Sequence, residues 1–100
     1  MTLGEKLRSL RWEKGVSIKK LAPLVEVDHT YLSKLENDHL TPSPQVIDRL
    51  ASYYEYDRDE LLLLANRIPP DILEILRTRP QEALAFLRER FAGSANGAPE

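Results

Sequence analysis

Residues 17–37 constrain this chain most, because they read as two short helices joined by a tight turn. Ser17 and Asp28 are suitable N-cap residues, since a side-chain oxygen there accepts a hydrogen bond from a free amide of the first turn. Apolar residues recur three and four positions apart after each cap, which predicts one apolar face per helix. These residues are Leu21, Leu24 and Val25 in the first helix, and Leu32 and Leu35 in the second.

The turn and the outward face complete this pattern. Val27 lies in the turn, where an apolar side chain fills the gap between two packed helices. The second helix is left with a polar outer face made of His29, Thr30, Ser33, Lys34 and Asn37. Two such helices joined by a short turn are typical of a helix-turn-helix, whose second helix enters the major groove of DNA.

The chain resembles the Cro/C1-type (XRE) helix-turn-helix family over roughly residues 3–64. The resemblance rests on residues 16–22 and 27–37, the Leu-Arg-x-Leu-Arg run at 7–11, Gly15, the Pro42-Ser43 loop and Leu50-Ala51. The chain departs from the family at Ile18, where a Gln is usual, at Glu26, where a Gly is usual, and at Pro23 inside the first helix. The resemblance implies an all-α fold with a five-helix lambda-repressor-like DNA-binding domain at 1–66, and the residues after it predict two short C-terminal helices.

The function that the resemblance implies is that of a sequence-specific regulator of transcription. Its partner would be double-stranded DNA, read through the major groove, and we expect a dimeric repressor on a palindromic operator because one helix-turn-helix covers only a few base pairs. The family position of Arg11 implies an ion pair with Glu36 that joins the first helix to the third.

Composition limits which other classes of protein the chain could belong to. A length of 100 residues suggests one domain, with 42% hydrophobic and 30% charged residues. No apolar run approaches the roughly 20 residues that span a bilayer, so we expect no membrane partner. The absence of cysteine and of a signal-peptide pattern at the start favours a cytoplasmic location. The net charge of −2 suggests weak non-specific binding to DNA.

Cap residues predict where the helices begin. We expect the first helix at 3–14, opened by a capping box of Thr2 and Glu5. The next two helices are expected at 18–25 and 29–37, and a fourth begins at Pro44 after the N-cap Ser43. Asp57 with Glu60 predicts a second capping box and a fifth helix at 58–66. Trp12 is expected either in the core or on a surface for a partner, and we favour the core.

The C-terminal residues predict a helical extension at 67–91 and a flexible tail at 92–100, which has too few apolar groups to repay ordering. Pro70 and Pro80 begin two helices too short to be stable alone. Their apolar residues either cap the fifth helix of the same chain or form a dimer interface, and we favour the interface. The residues expected in it are Leu73, Leu76, Leu84, Phe86, Leu87 and Phe91.

Candidate DNA contacts follow from the family motif. The residues expected to read bases lie at the start of the recognition helix: His29, Thr30, Ser33 and Lys34. Phosphate contacts are expected from residues near the start of the second helix, on the third, and in the loop after it: Lys19, Lys20, Tyr31, Asn37, His39, Thr41 and Ser43. Asp38 is expected to point away from the phosphates.

One alternative from another class is a protein-interaction module, for example an antitoxin whose C-terminal helices hold a partner protein. A toxin or another enzyme would be such a partner, and the family resemblance implies a further one, a metallopeptidase that inactivates the regulator. The acidic, leucine-rich second half of the chain motivates it. An enzyme is not expected, because the sequence holds no nucleophile–base pair, glycine-rich phosphate loop or metal-ligand spacing. We therefore predict no catalytic residues, no metal and no cofactor.

Overall fold

The computed structural model describes residues 1–92, and within this range the chain is all-α with no strand. The helices are α1 (Leu3–Lys14), α2 (Ile18–Leu24), α3 (His29–Glu36), α4 (Pro44–Tyr54), α5 (Arg58–Leu64), α6 (Pro70–Thr78) and α7 (Pro80–Phe91). The predicted fold class is therefore confirmed. The predicted tail at 92–100 lies, beyond Ala92, outside the described residues.

Most helices begin where the cap residues predict. Thr2 and Glu5 form the expected capping box, and the Ser17, Asp28 and Ser43 side chains each accept a first-turn amide of their helix. Gly15 ends α1 in the left-handed region with φ 68°, a conformation that glycine adopts without a Cβ penalty.

The predicted capping box at α5 is wrong. Asp57 precedes the helix but its side chain caps no amide. The Glu60 carboxylate instead accepts a hydrogen bond from the Tyr56 hydroxyl at 2.6 Å. Neither of the two caps that this box requires is formed.

Helices α1 to α5 lie in one compact unit, Met1–Arg67, built around a single apolar core. The core takes at least two buried residues from each of these helices: Leu3, Leu7 and Leu10; Leu21, Ala22 and Val25 beside α2; Leu32 and Leu35; Val46, Ile47, Leu50, Ala51 and Tyr54; and Leu61, Leu62 and Ala65 beside α5. The positions that join α2 to α3 are therefore among the most deeply buried in the unit.

Two expectations about the core are wrong. Trp12 is 67% exposed, because it lies about 200° around α1 from the buried Leu10 at 3.6 residues per turn. Leu24 is 61% exposed, and Ala22 takes its place on the buried face of α2. Leu21, Ala22 and Val25 form the buried side of α2, which packs against α3.

A second compact unit begins at Ile68 and contains α6 and α7, which contact each other. Neither helix has a buried residue. Of the four consecutive leucines in α5, Leu61 and Leu62 are buried, Leu64 is half-buried, and Leu63 is 56% exposed. Apolar surface therefore remains on both units.

Candidate nucleic-acid interface

The outer face of α3 presents the polar side chains that the motif predicts. His29, Thr30 and Lys34 are exposed, and Ser33 is half-buried. The opposite face is fixed in the core, since Leu32 and Leu35 are each only 1% exposed. Because Leu32 and Leu35 anchor one side of α3 in the core, the polar side chains on its other side face away from the protein.

The turn between α2 and α3 is closed by the backbone. The Val27 amide donates to the Ala22 carbonyl at 3.1 Å, and the Val27 side chain packs partly buried against the core, as predicted. Glu26 takes the left-handed conformation with φ 59°, at the position where a glycine is usual in the family. The turn thus keeps its shape at the cost of a strained non-glycine residue.

Arg11 and Glu36 form the ion pair that the resemblance implied. Arg11 Nε and Nη2 donate to the two Glu36 carboxylate oxygens at 2.8 and 3.0 Å. The Glu36 side chain is 3% exposed and that of Arg11 14% exposed. The hydrogen bond to Glu36 raises the pKa of Arg11, and the bidentate pair fastens α1 to the end of α3.

A second connection joins the start of α1 to the residue that follows the end of α3. Asp38, with φ 60°, follows α3, and its carboxylate accepts hydrogen bonds from the Thr2 hydroxyl at 2.6 Å and the Gly4 amide at 2.9 Å. The hydrogen bond from Thr2 lowers the pKa of Asp38. The Asp38 carboxylate thus lies at the N-terminus of α1, where the helix dipole favours a negative charge, and its orientation relative to DNA phosphates stays a prediction.

Gly4 permits this close approach. A Cβ atom built on Gly4 would lie 2.4 Å from the Glu36 carbonyl oxygen and 2.8 Å from Asp38 Oδ1. Only glycine fits between the first turn of α1 and the end of α3. Sequence reasoning missed this residue, since a glycine inside a predicted helix is ordinarily read as a weak helix former.

Arg8 is the other residue that sequence reasoning missed. Its Nη2 donates to Asn37 Oδ1 at 2.9 Å and to the Glu36 carbonyl at 3.4 Å. A signal was available, because Arg8 precedes Arg11 by three residues and so lies on the same side of α1. The two arginines together hold the last turn of α3.

The expected phosphate contacts occupy varied environments. Tyr31 is half-buried and packs against the core, while Ser43 is half-buried and its hydroxyl oxygen caps α4. The remaining residues are all exposed: Lys19, Lys20, Asn37, His39 and Thr41. Their contacts with DNA stay predictions.

Comparison with known proteins identifies the domain. Residues 2–64 match the family model described as a helix-turn-helix domain. Over 62 residues the chain is 39% identical to an HTH-type transcriptional regulator, DdrOP3, of Deinococcus deserti, which covers 62% of this chain and 48% of the relative. The chain thus matches about half of the length of that curated relative.

The match to the family model covers the whole of the first unit's helical region. The matched segment contains α1 to α5 complete, including the turn, the exposed face of α3 and the Arg11–Glu36 pair. No helix within residues 1–92 has the length and apolar character needed to cross a bilayer. The matched segment is more than half of the chain, and its motif is the one that resembles the Cro/C1-type regulators. The chain belongs to the helix-turn-helix domain family.

Proposed function

We propose that this protein is a DNA-binding regulator of transcription that places α3 in the major groove. The observation that carries the proposal is that α3 is buried on one side and exposed on the other. Leu32 and Leu35 are sealed in the core, while His29, Thr30 and Lys34 are exposed on one surface. The curated relative, named as an HTH-type transcriptional regulator, supports the same function.

The chemistry of the exposed face suits base edges in the major groove. Lys34 can donate to guanine O6 and N7, and the methyl group of Thr30 can contact a thymine methyl. His29 and Ser33 add donors and acceptors on the same face. Since each base pair shows a distinct pattern in this groove, these four side chains would supply the sequence preference.

Phosphate contacts would fix the register of α3 on the duplex. Lys19 and Lys20 lie in the first turn of α2, and His39 and Thr41 lie in the loop after α3. All four are exposed. With a net charge of −2 on the chain, few phosphates would be neutralised, and affinity for random DNA would be low.

We propose further that the protein acts as a dimeric repressor on a palindromic operator, with α6 and α7 forming the dimer interface. Exposed apolar residues support this: Ile72, Ile75, Leu84, Phe86 and Leu87 are 39–60% exposed, and neither helix has a buried residue. A groove of about 580 Å³ lies between the two helices. Two-fold pairing would place two recognition helices about 34 Å apart, one turn of DNA.

The same apolar face supports the second candidate, a protein-interaction module with a toxin or metallopeptidase as partner. The groove is bordered by Arg79 and Glu82, which are paired with each other at 2.8 Å. Those charges are therefore already balanced, which favours an apolar occupant over a charged one. Oligomeric state separates the two candidates, because only the dimer needs no other protein.

Selection of bound duplexes from a random DNA pool tests the regulator. The expected result is an enriched palindrome with half-sites one helical turn apart. Lys34→Ala should then weaken binding to that sequence by about 1–3 kcal/mol, the usual value of a base contact. Lys14→Ala is the matched control, since Lys14 lies over the Tyr53 ring on another surface at 5.0 Å. Absence of any enriched sequence at low salt would reject the proposal.

Sedimentation equilibrium tests the dimer. Phe86→Glu introduces a charge on the apolar face and should convert the dimer to a monomer that binds one half-site weakly. Gln81→Glu adds the same charge at an exposed position outside the groove lining and should leave the dimer intact. A wild-type protein that stays monomeric, or a dimer unaffected by Phe86→Glu, would contradict this interface.

A further inference from the structure

We infer that Arg8 is a positioning residue for DNA binding, which it serves by holding the Asn37 side-chain amide at the end of α3. This inference rests on the proposed function, since it concerns the orientation of a hydrogen-bond donor to a DNA phosphate. It adds a residue of α1 that the helix-turn-helix motif does not contain.

The contacts around Asn37 fix its amide from two sides. Arg8 Nη2 donates to Asn37 Oδ1 at 2.9 Å, and Asn37 Nδ2 donates to the Ser33 carbonyl at 2.8 Å. Arginine has donors only, so the amide oxygen and not the amino group must face it. The amide is therefore held in one orientation by partners on two different helices.

This orientation leaves one donor unused. An amide amino group has two N–H bonds, and Ser33 takes one of them. Within residues 1–92 the second N–H has no acceptor, and Asn37 is exposed. It lies at the C-cap of α3, next to the loop from which phosphate contacts are expected. A phosphate oxygen is the acceptor that this donor suits on a duplex.

Arg8 itself is occupied within the protein. Its Nη2 also lies 3.4 Å from the Glu36 carbonyl, and its Nε lies 3.7 Å from Glu36 Oε1. The Glu36 carboxylate thus balances part of its charge. Its side chain is 37% exposed, and its directional contacts all end on the last turn of α3 and its cap. These contacts favour an indirect role through Asn37.

Binding to the selected duplex at several salt concentrations tests this role. A neutral amide releases no counterion, so Arg8→Met and Asn37→Ala should each weaken binding about three- to tenfold, the range for one hydrogen bond, without changing the salt slope. The double variant should bind no more weakly than either single one, because both remove the same contact. Arg8→Lys, which keeps a donor, should recover part of the loss.

Lys6→Met removes an equal charge from α1, at a side chain that lies 4.5 Å from the Tyr56 ring, and should leave binding within twofold of wild type (about the additivity error of such comparisons). A slope reduced by about 0.9 in Arg8→Met would show a direct phosphate contact and overturn the inference. Additive losses in the double variant, or no loss in Arg8→Met, would overturn it as well.

A measurement without DNA separates this inference from the proposed function. The Asn37 side-chain amide resonances of the free protein should shift in Arg8→Met but not in Lys6→Met. Unchanged resonances would overturn the inference even if the wild type binds DNA. A different outcome is that the resonances shift in Arg8→Met but the wild type binds no duplex. That result would reject the DNA-binding proposal and the role of the contact in it, while the contact itself would be established.

Discussion

Replacement of Gly4 by alanine tests the packing of α1 against α3. The new Cβ would lie 2.4 Å from the Glu36 carbonyl oxygen and 2.8 Å from Asp38 Oδ1. The first of these atoms is backbone at the end of α3 and has no rotamer to change. Relief therefore requires the helices to separate, which also lengthens the 2.9 Å hydrogen bond from the Gly4 amide to Asp38.

The magnitude follows from three opposing contributions. Alanine is favoured over glycine inside a helix by about 0.8–1 kcal/mol. Overpacking costs about 1–3 kcal/mol, and loss of a hydrogen bond to a charged acceptor costs about 1.5–3 kcal/mol. The clash and the lost bond together exceed the gain in helix propensity, so we expect Gly4→Ala to lower the free energy of unfolding by about 2–5 kcal/mol.

Urea denaturation followed by far-ultraviolet circular dichroism measures this change. Gly15→Ala is the matched control, because a Cβ there meets no atom within 4 Å and the loss comes only from the positive φ of 68°. We expect a loss of about 1–2 kcal/mol in that control. If Gly4→Ala proved as stable as wild type, helix propensity would outweigh packing and the close approach of α1 and α3 would be refuted.

Three further predictions concern the same unit. Glu36→Ala should lower the free energy of unfolding by about 3–5 kcal/mol, since it leaves the half-buried Arg11 without its carboxylate partner, and a double variant with Arg11→Met should recover much of it in urea titrations. Glu26→Gly should raise the free energy of unfolding by about 0.5–1 kcal/mol by removing left-handed strain, while Glu26→Ala should show no such gain. Because the pKa of Asp38 is lowered from 3.8, its stabilising effect is present above that pH and is lost as pH falls through the lower folded value; acid denaturation of Asp38→Asn should be correspondingly less steep.

The helix starts could be predicted because their causes are local. A cap side chain and the amide that it binds lie within three residues of each other, as at Thr2, Ser17 and Ser43. The predicted ends of the helices were less accurate: α2 and α3 each stop one residue early, and α5 stops two residues early. Chain reversal at a C-terminus depends on the path that the next element takes, which is not local.

The side chains on α3 could also be assigned from sequence, because Leu32 and Leu35 determine which face turns inward. The buried pair of Arg11 and Glu36 came from the family resemblance and not from spacing. Gly4 and Arg8 were not predicted, since the partners of both lie 28 to 34 residues away in the sequence. Trp12 and Leu24 were assigned to the core and are exposed.

The order of local signals along the chain determined the all-α fold, the helix-turn-helix and the polar outer face of α3, because apolar periodicity and caps act within one or two helical turns. Tertiary structure alone decided how the end of α3 is held. The Asp38 carboxylate, the Arg8 guanidinium and the space left by Gly4 meet only after α1 packs beside α3. Contacts between groups so far apart in sequence produce no periodic pattern in the sequence, because each depends on how two helices pack against each other.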